Sequence, residues 1–306
     1  MKVSIVGIGK VGSALALTLV ARGLVDELVL IGRHPPNPVD PSFAVGEAMD
    51  LLHATAFTRP VRVCAGGVSE SSGSNVIAIC VSGAESRLPR TTGADANAKI
   101  LREIIPPLVA ASPDAILLLA TNPLDAMTTL TLQISKLPSG RVLGTGTLLD
   151  TMRLRVLLSE KCGIHPRDIR AYVLGEHGDS QFVAYSSASA GGARIDPDTA
   201  LLHWFENQTR LAGHEIMRHK GYTNAGVAMA AAVIIEAIGT DSHEVIPVST
   251  LVRGFAGVRD VCLSLPAVIG RAGVLRTLEI ELVPAEAEAF RRCAQAVRTT
   301  LDNLGR

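Results

Sequence analysis

The chain has 306 residues, of which 47% are apolar and 19% are charged, a composition typical of a globular protein rather than a disordered one. Its 29 basic residues balance its 29 acidic residues, so the sequence offers no basic field for a phosphate backbone. The chain has only one Trp, three Tyr and six Phe, which argues against an aromatic stacking platform for single-stranded nucleic acid.

The cysteines and the apolar runs indicate the cellular compartment of the protein. Five cysteines lie far apart with no paired spacing, which predicts free thiols in a cytoplasmic protein and neither a disulfide framework nor a metal site. No run approaches the roughly 18 uninterrupted apolar residues of a membrane span. Lys10 also interrupts the apolar start that resembles a signal peptide. We therefore expect no membrane and no nucleic-acid partner.

The first predicted elements form a strand–turn–helix–strand unit. Residues 3–6 are a short apolar run, residues 7–12 read Gly-Ile-Gly-Lys-Val-Gly, and an apolar helical pattern follows over residues 13–22. Residues 27–31 form the next apolar run. A Gly-x-Gly-x-x-Gly turn between a strand and a helix is typical of the first unit of a dinucleotide-binding fold.

Each glycine of this turn has its own physical task. Gly7 permits the tight turn, Gly9 lets the backbone approach a pyrophosphate, and Gly12 lets helix and strand pack closely. Lys10 and Val11 lie between these glycines, just before the predicted helix, whose N-terminal free N–H groups point at phosphates. The turn therefore predicts a cofactor site at these five residues.

The end of the second predicted strand departs from the usual NAD pattern. An acidic residue normally binds the ribose hydroxyls there, whereas this chain has Gly32 and Arg33. Glycine removes the repulsion that a carboxylate exerts on the extra phosphate of NADP, and Arg33 has the charge to pair with that phosphate. The sequence predicts NAD(P) and favours NADP; the alternative is a solvated Arg33 at the start of a proline-rich loop.

Strand-like and helical patterns continue to alternate. They are a helix over residues 42–56, strands at 61–64, 75–81 and 115–119, and a helical pattern through 98–101. Continuous apolar runs favour parallel strands covered on both faces. Ligands bind at the carboxyl ends of such strands, so Ser82, Gly83, Thr121 and Asn122 are predicted cofactor contacts.

The pattern changes after Gly144, where we place a boundary between residues 1–144 and 145–306. The later elements are a helix over 147–162, strands at 171–174 and 182–185, helices over 197–219 and 224–239, strand-like segments over 245–273 and a helix over 284–304. We predict an α/β fold: a Rossmann-type, doubly wound parallel sheet followed by a mixed α+β catalytic domain.

Chemistry-bearing residues cluster in this second part. His177 stands between two glycines in the turn that joins the strands at 171–174 and 182–185, with little steric cover. Because histidine changes its charge most easily near neutral pH, it suits proton transfer, although a lone histidine beside a strand is also often structural. Asp150 and Arg153 are three residues apart and share one face of their helix.

Five motifs in the same order resemble the L-lactate/malate dehydrogenase family over essentially the whole chain. They occupy residues 7–12, 121–123, 149–153, 175–180 and 220–223. The resemblance implies an NAD(P)-dependent oxidoreductase that reversibly reduces a 2-oxo acid to an L-2-hydroxy acid. It also implies a homodimer or homotetramer.

The resemblance gives individual residues a role. His177 would exchange a proton with the ketone oxygen, and Asp150 would orient its ring and favour the imidazolium. Arg153 would hold the substrate carboxylate through two parallel hydrogen bonds. Asn122 would position the carbonyl and the nicotinamide, and Thr223 would line the substrate pocket.

The loop after Gly83 supplies two candidate arginines. The family closes such a loop over the substrate and brings down an arginine that polarises the ketone. Counting back from Asn97, which the resemblance places at the cofactor, selects Arg90, whereas the phrase at residues 85–88 selects Arg87. We take Arg90 as the polarising residue and Arg87 as a specificity residue, and both assignments stay open.

Several substrates fit these residues. Residues 144–151 and 175–180 resemble the lactate branch, which favours the pyruvate/L-lactate pair. A second loop arginine would instead bind the distal carboxylate of oxaloacetate, as in a malate dehydrogenase. A dehydrogenase for a bulkier 2-hydroxy acid and a non-catalytic dinucleotide-binding protein are further alternatives.

Overall fold

Strands and helices alternate along the first half of the chain. The structure is a computed structural model that describes residues 1–33, 42–83, 90–195 and 199–304, apart from the side chains of residues 90–92 and 199–200. The strands are β1 (Lys2–Val6), β2 (Glu27–Ile31), β3 (Arg62–Gly66), β4 (Val76–Ile79), β5 (Ile116–Leu119) and β6 (Val142–Gly144). The helices are α1 (Lys10–Ala21), α2 (Phe43–Ala54), α3 (Arg90–Ala111) and α4 (Leu124–Ser135).

The six strands run parallel in the order β3-β2-β1-β4-β5-β6. This order confirms the predicted doubly wound sheet. The direction in which strands are added reverses between β1 and β4, and ligands bind in the crevice beside such a reversal. β4 and β5 are buried along their whole length, as expected for parallel strands covered on both faces.

Two helices differ from the predictions. α1 begins at Lys10 rather than at residue 13, because Gly9 is extended and the residues after it already form the first helical turn. α4 is absent from the predicted elements. Nine of its twelve residues are buried, so its sequence lacks the alternation of polar and apolar faces that marks a surface helix.

The second half extends the same sheet. Its helices are α5 (Leu148–Cys162), α6 (Thr199–Lys220), α7 (Ala225–Thr240) and α8 (Pro284–Asn303). Its strands are β7 (Ile169–Arg170), β8 (Val173–Leu174), β9 (Phe182–Val183), β10 (Ser189–Ala190), β11 (Ala193–Arg194), β12 (Glu244–Arg253), β13 (Arg259–Gly270) and β14 (Gly273–Thr277). β12, β13 and β14 are antiparallel, and β12 pairs with β6 between Ser249 and Gly144, so nine strands form one sheet within the described residues.

The hydrophobic core lies on both faces of this sheet. Leu28 and Leu30 of β2 belong to the cluster with α1, α2 and α7, whereas Val29 and Ile31 belong to the cluster with α3, α4 and α8. This is the alternation of side chains expected along a strand. Among the described helices, none combines the length and apolar character needed to cross a bilayer.

Candidate active site

The histidine turn (residues 175–181, which include His177) lies between β8 and β9, which pair as an antiparallel hairpin. Gly175 fixes the start of the turn through two backbone hydrogen bonds with Ser264 of β13, at 3.1 and 2.8 Å. Its φ is +88°, and a Cβ added there would overlap the Sγ of Cys293. Only glycine fits this position, because the backbone is left-handed and α8 packs directly against it. The turn therefore leaves β8 in a fixed direction.

Asp150 meets His177 because the start of α5 is bound to β8. Thr147 Oγ1 donates a hydrogen bond to the carbonyl of Val173 at 2.5 Å. Thr151 Oγ1 accepts one from the N–H of Val173 at 3.0 Å. These bonds hold the first turn of α5 beside the strand that leads into the histidine turn. Asp150 lies in that first helical turn.

Asp150, Arg153 and His177 form one connected group. Asp150 Oδ2 lies 2.7 Å from His177 Nδ1, and Asp150 Oδ1 accepts a hydrogen bond from Arg153 at 2.9 Å. The Asp150 side chain is 3% exposed, whereas those of Arg153 and His177 are 17% and 30% exposed. The carboxylate is thus buried, and the two cationic groups that it binds reach the surface of the site. The structure brings these three predicted residues together.

Burial and charge act in opposite directions within this group. Burial lowers the pKa of His177, but the Asp150 charge and hydrogen bond outweigh it, so the pKa is raised above its usual value. Burial likewise raises the pKa of Asp150, but His177 and Arg153 hold it below its usual range. The pair therefore favours an ionised carboxylate beside a protonated imidazole, the state that a general acid needs.

A second carboxylate, absent from the sequence predictions, also reaches the histidine turn. Asp125 in the first turn of α4 accepts a hydrogen bond from the backbone N–H of His177 at 2.6 Å. Its other oxygen accepts one from Ser249 of β12 at 2.6 Å. The available sequence signal was a single acidic residue in a helix otherwise made of apolar, hydroxyl and amide side chains.

The glycine turn has the shape that a dinucleotide requires. Gly7 has φ +97°, and an added Cβ would stand 2.7 Å from the carbonyl carbon of Cys80. A Cβ on Gly12 would overlap the carbonyl oxygen of Gly7. A Cβ on Gly9, in contrast, would meet no described atom within 4 Å. Gly7 and Gly12 are thus required by the protein's own packing, whereas the space beside Gly9 fits a pyrophosphate at the N-terminus of α1.

The segment after α6 approaches this turn. Lys10 Nζ lies 5.1 Å from the ring centroid of Tyr222, and Lys220 Nζ lies 4.7 Å from it. Asn224 and Gly9 line the same cavity, so residues 220–224 stand beside the glycine turn. Thr223, the predicted substrate contact, is half-buried in this segment.

Asn97 of α3 and Thr121, which follows β5, use their polar atoms inside the protein. The Asn97 side-chain oxygen accepts from the Gly83 N–H at 2.8 Å, and its amide donates to the Asn122 carbonyl at 2.7 Å. Thr121 Oγ1 donates to the carbonyl of Val81 at 2.9 Å. Asn97 and Thr121 therefore tie the loops after β4 and β5 together, while the Asn122 side chain is exposed at the same edge.

The remaining predicted residues are spread more widely. Val11 is half-buried in α1, Ser82 is exposed after β4, and Arg33 is exposed just beyond β2. Arg87 lies outside the described residues, as does the side chain of Arg90, whose backbone begins α3. Within the described ranges, no group of three or more His, Cys, Asp or Glu side chains has a metal-binding arrangement.

Comparison with known proteins agrees over the whole chain. Residues 1–144 match the family model "lactate/malate dehydrogenase, NAD binding domain", and residues 147–304 match "lactate/malate dehydrogenase, alpha/beta C-terminal domain". The L-lactate dehydrogenase of Synechococcus sp. (strain JA-3-3Ab) is 39% identical to this chain over 99% of each of the two chains. That of Thermus aquaticus is 38% identical over the full length of both. A lactate dehydrogenase from a Medee basin deep-sea metagenome library superposes with a TM-score of 0.93 at 32% identity, covering 100% of this chain and 99% of that one. The minor L-lactate dehydrogenase of Enterococcus mundtii gives 0.92 at 33%, covering 99% and 98%.

Proposed function

The chain belongs to the lactate/malate dehydrogenase family, and from this premise we propose that it interconverts pyruvate and L-lactate with His177 as proton donor and acceptor. It is an NAD-dependent oxidoreductase of the lactate type that acts on a 2-hydroxy acid. The observation that carries the proposal is the 2.7 Å contact between Asp150 and His177, with Arg153 bound to the same carboxylate. Together these residues supply a proton donor beside a cation for the substrate.

We propose a role for each residue of this group. Bound nicotinamide supplies or accepts the hydride. His177, held protonated by Asp150, donates its proton to the ketone oxygen, where negative charge develops, and takes it back in the reverse direction. Arg153 binds the carboxylate of the substrate and thereby fixes the ketone relative to the histidine. Asn122 and Thr223 are proposed to complete the pocket.

The substrate is tested by comparing pyruvate, oxaloacetate and 2-oxoisocaproate with one enzyme preparation. We expect the highest kcat/KM with pyruvate. A preference for oxaloacetate would instead support the malate reading, in which Arg87 binds a second carboxylate. Dinucleotide binding without turnover on any 2-oxo acid would refute the enzymatic proposal.

The two loop arginines stay predictions because their side chains lie outside the described residues. We propose that Arg90 polarises the ketone and that Arg87 affects the choice of substrate. Arg90→Gln should then lower kcat with every 2-oxo acid, since transition-state charge loses its partner. Arg87→Gln should change the ratio of activities with pyruvate and oxaloacetate. The reverse pattern would exchange the two roles.

We further propose that the cofactor site accepts NADP as well as NAD. Arg33 is exposed next to Gly32 just beyond β2, and the sequence places no carboxylate at either position to repel a ribose phosphate. Arg33→Ala should lower kcat/KM with NADPH and leave it unchanged with NADH. A strong preference of the unaltered enzyme for NADH would end this part of the proposal.

The proposed assembly is a homodimer or homotetramer of two-part subunits, with dinucleotide binding in residues 1–144 and substrate binding in 145–306. A cavity of about 620 Å³ between α1 and α2 is lined by exposed Leu17 and Phe43. Such apolar surface supports association with a second copy. All five cysteines are free, which suits the proposed cytoplasmic location. Light scattering of the purified enzyme tests the assembly, and a monomer would refute it.

A further inference from the structure

Asp125 is the only residue for which the structure describes hydrogen bonds to both the main chain of His177 and a strand of the sheet. Asp125 is 1% exposed, and its carboxylate accepts hydrogen bonds from the N–H of His177 and the hydroxyl of Ser249, each at 2.6 Å. Asp125 follows the Asn122–Pro123 loop by two residues, at the start of α4. One carboxylate therefore links the loop after β5, the histidine turn and β12.

Keeping this group ionised opposes folding. Burial raises the pKa of Asp125 to about 6, although the hydrogen bonds from Ser249 and His177 partly offset burial. A buried carboxylate that titrates near neutral pH is a poor stabilising element, because the charged form loses its hydration. The contribution of Asp125 to stability therefore does not account for its presence, whereas an effect on His177 does.

We propose that Asp125 is a positioning residue for the reaction proposed above: it fixes the main chain at His177 and adds a negative charge that favours the imidazolium. This inference rests on the proposed function of His177. Asp150 binds the ring, whereas Asp125 binds the backbone, so the two carboxylates act on different atoms of one residue.

The titratable groups that interact with this carboxylate lie in the histidine turn, on β13 and on α8. Glu176 in the histidine turn raises the pKa of Asp125, and His177 lowers it. Burial raises the pKa of the Cys262 thiol on β13 to about 12 and that of the Cys293 thiol on α8 to about 11, and the charge of Asp125 acts in the same direction. Both thiols therefore remain protonated near neutral pH. His177 and Asp125 are therefore the groups in this set that change charge near neutral pH.

Two substitutions separate position from charge. In Asp125→Asn, the amide oxygen can accept from His177 while the amide nitrogen donates to Ser249, whose hydroxyl also accepts hydrogen bonds. This variant keeps both links and removes the charge. Asp125→Ala removes the links as well. Thr131→Val is the matched control, because Thr131 is buried in the same helix and its hydroxyl has no hydrogen-bond partner among the described residues.

The first readout is the rate of hydride transfer from the reduced dinucleotide to pyruvate in a single turnover. Asp125→Ala should lose about 100-fold, since a misplacement of about 1 Å can cost that much. At low pH, the rate of Asp125→Asn should be close to that of the unaltered enzyme. As the pH rises, the rate of the variant should begin to fall at a lower pH than that of the unaltered enzyme. Thr131→Val should match the unaltered enzyme. A folded Asp125→Ala enzyme with an unchanged rate would overturn the positioning role.

The second readout is the titration of the His177 ring by NMR in the complete enzyme, which needs no turnover. Asp125→Asn should lower the pKa of His177, and an unchanged titration would overturn the role of the charge. If pyruvate and the other 2-oxo acids give no turnover at all, the proposed function fails, while this titration still decides whether Asp125 acts on His177.

Discussion

Replacing Asp150 with asparagine tests the buried carboxylate on which the proposed chemistry depends. Both Asp150 oxygens accept hydrogen bonds, one from the His177 ring and one from Arg153. Asparagine must turn its amide nitrogen toward one of these two donors, so one interaction becomes repulsive. Removing one partner of a buried charge pair costs about 2–5 kcal/mol, and the 30% exposure of His177 favours the lower part of that range. A loss of about 2–3 kcal/mol corresponds to a fall in kcat/KM of roughly 30- to 150-fold.

The pH profile of this variant gives a second, independent readout. Reduction of pyruvate needs the imidazolium, so activity is full below the pKa of His177 and falls as the pH rises through it. In Asp150→Asn the burial of His177 remains while the raising charge is gone, so its pKa drops and the fall begins at lower pH. Initial rates of dinucleotide oxidation across pH measure both effects, with Asp114→Asn as an exposed control. Unchanged kcat/KM and an unchanged profile would refute the reasoning.

Three further predictions concern the substrate cation, the glycine turn and Asp125. Arg153→Lys should raise the KM for pyruvate about tenfold or more, because lysine cannot form two parallel hydrogen bonds to a carboxylate; an unchanged KM would remove Arg153 from substrate binding. Gly12→Ala should lower the melting temperature, whereas Gly9→Ala should keep it and weaken dinucleotide binding; equal effects in thermal melts and titrations would contradict the packing described here. Asp125→Asn should raise the free energy of unfolding by up to about 3 kcal/mol above pH 6, the equivalent of a pKa raised from 3.8 to about 6. Below pH 3.8 the carboxyl is protonated in both folded and unfolded states, so denaturant titrations should show the difference disappear there.

Local sequence patterns predicted much of the fold because their physical causes are local. β2 was predicted at its observed bounds, since an apolar run between polar residues is a sufficient strand signal. The pairing of β12 with β6 was not predicted, because it joins Ser249 to Gly144, which are distant in the sequence. The extension of the sheet beyond its six parallel strands therefore cannot be predicted from a local sequence pattern.

The residues of the candidate site also differ in whether a local sequence motif or a long-range contact determines their position. Asp150, Arg153 and His177 were predicted from motifs that carry chemistry in their own residues. Asp125 was missed because its two partners lie 52 and 124 residues away, and nothing around it marks the contact. Asn97 was predicted at the cofactor through its motif, but both ends of its amide bind the loops after β4 and β5. The direction of a side chain depends on such long-range packing.

The central claim is that His177 exchanges the proton with the substrate oxygen. Its most direct test is the rate of pyruvate reduction by His177→Ala, measured with dinucleotide affinity and melting temperature on the same preparation. We expect a loss of about 10²–10⁴-fold at every pH, with dinucleotide affinity and melting temperature retained. Near-normal turnover by His177→Ala would contradict it.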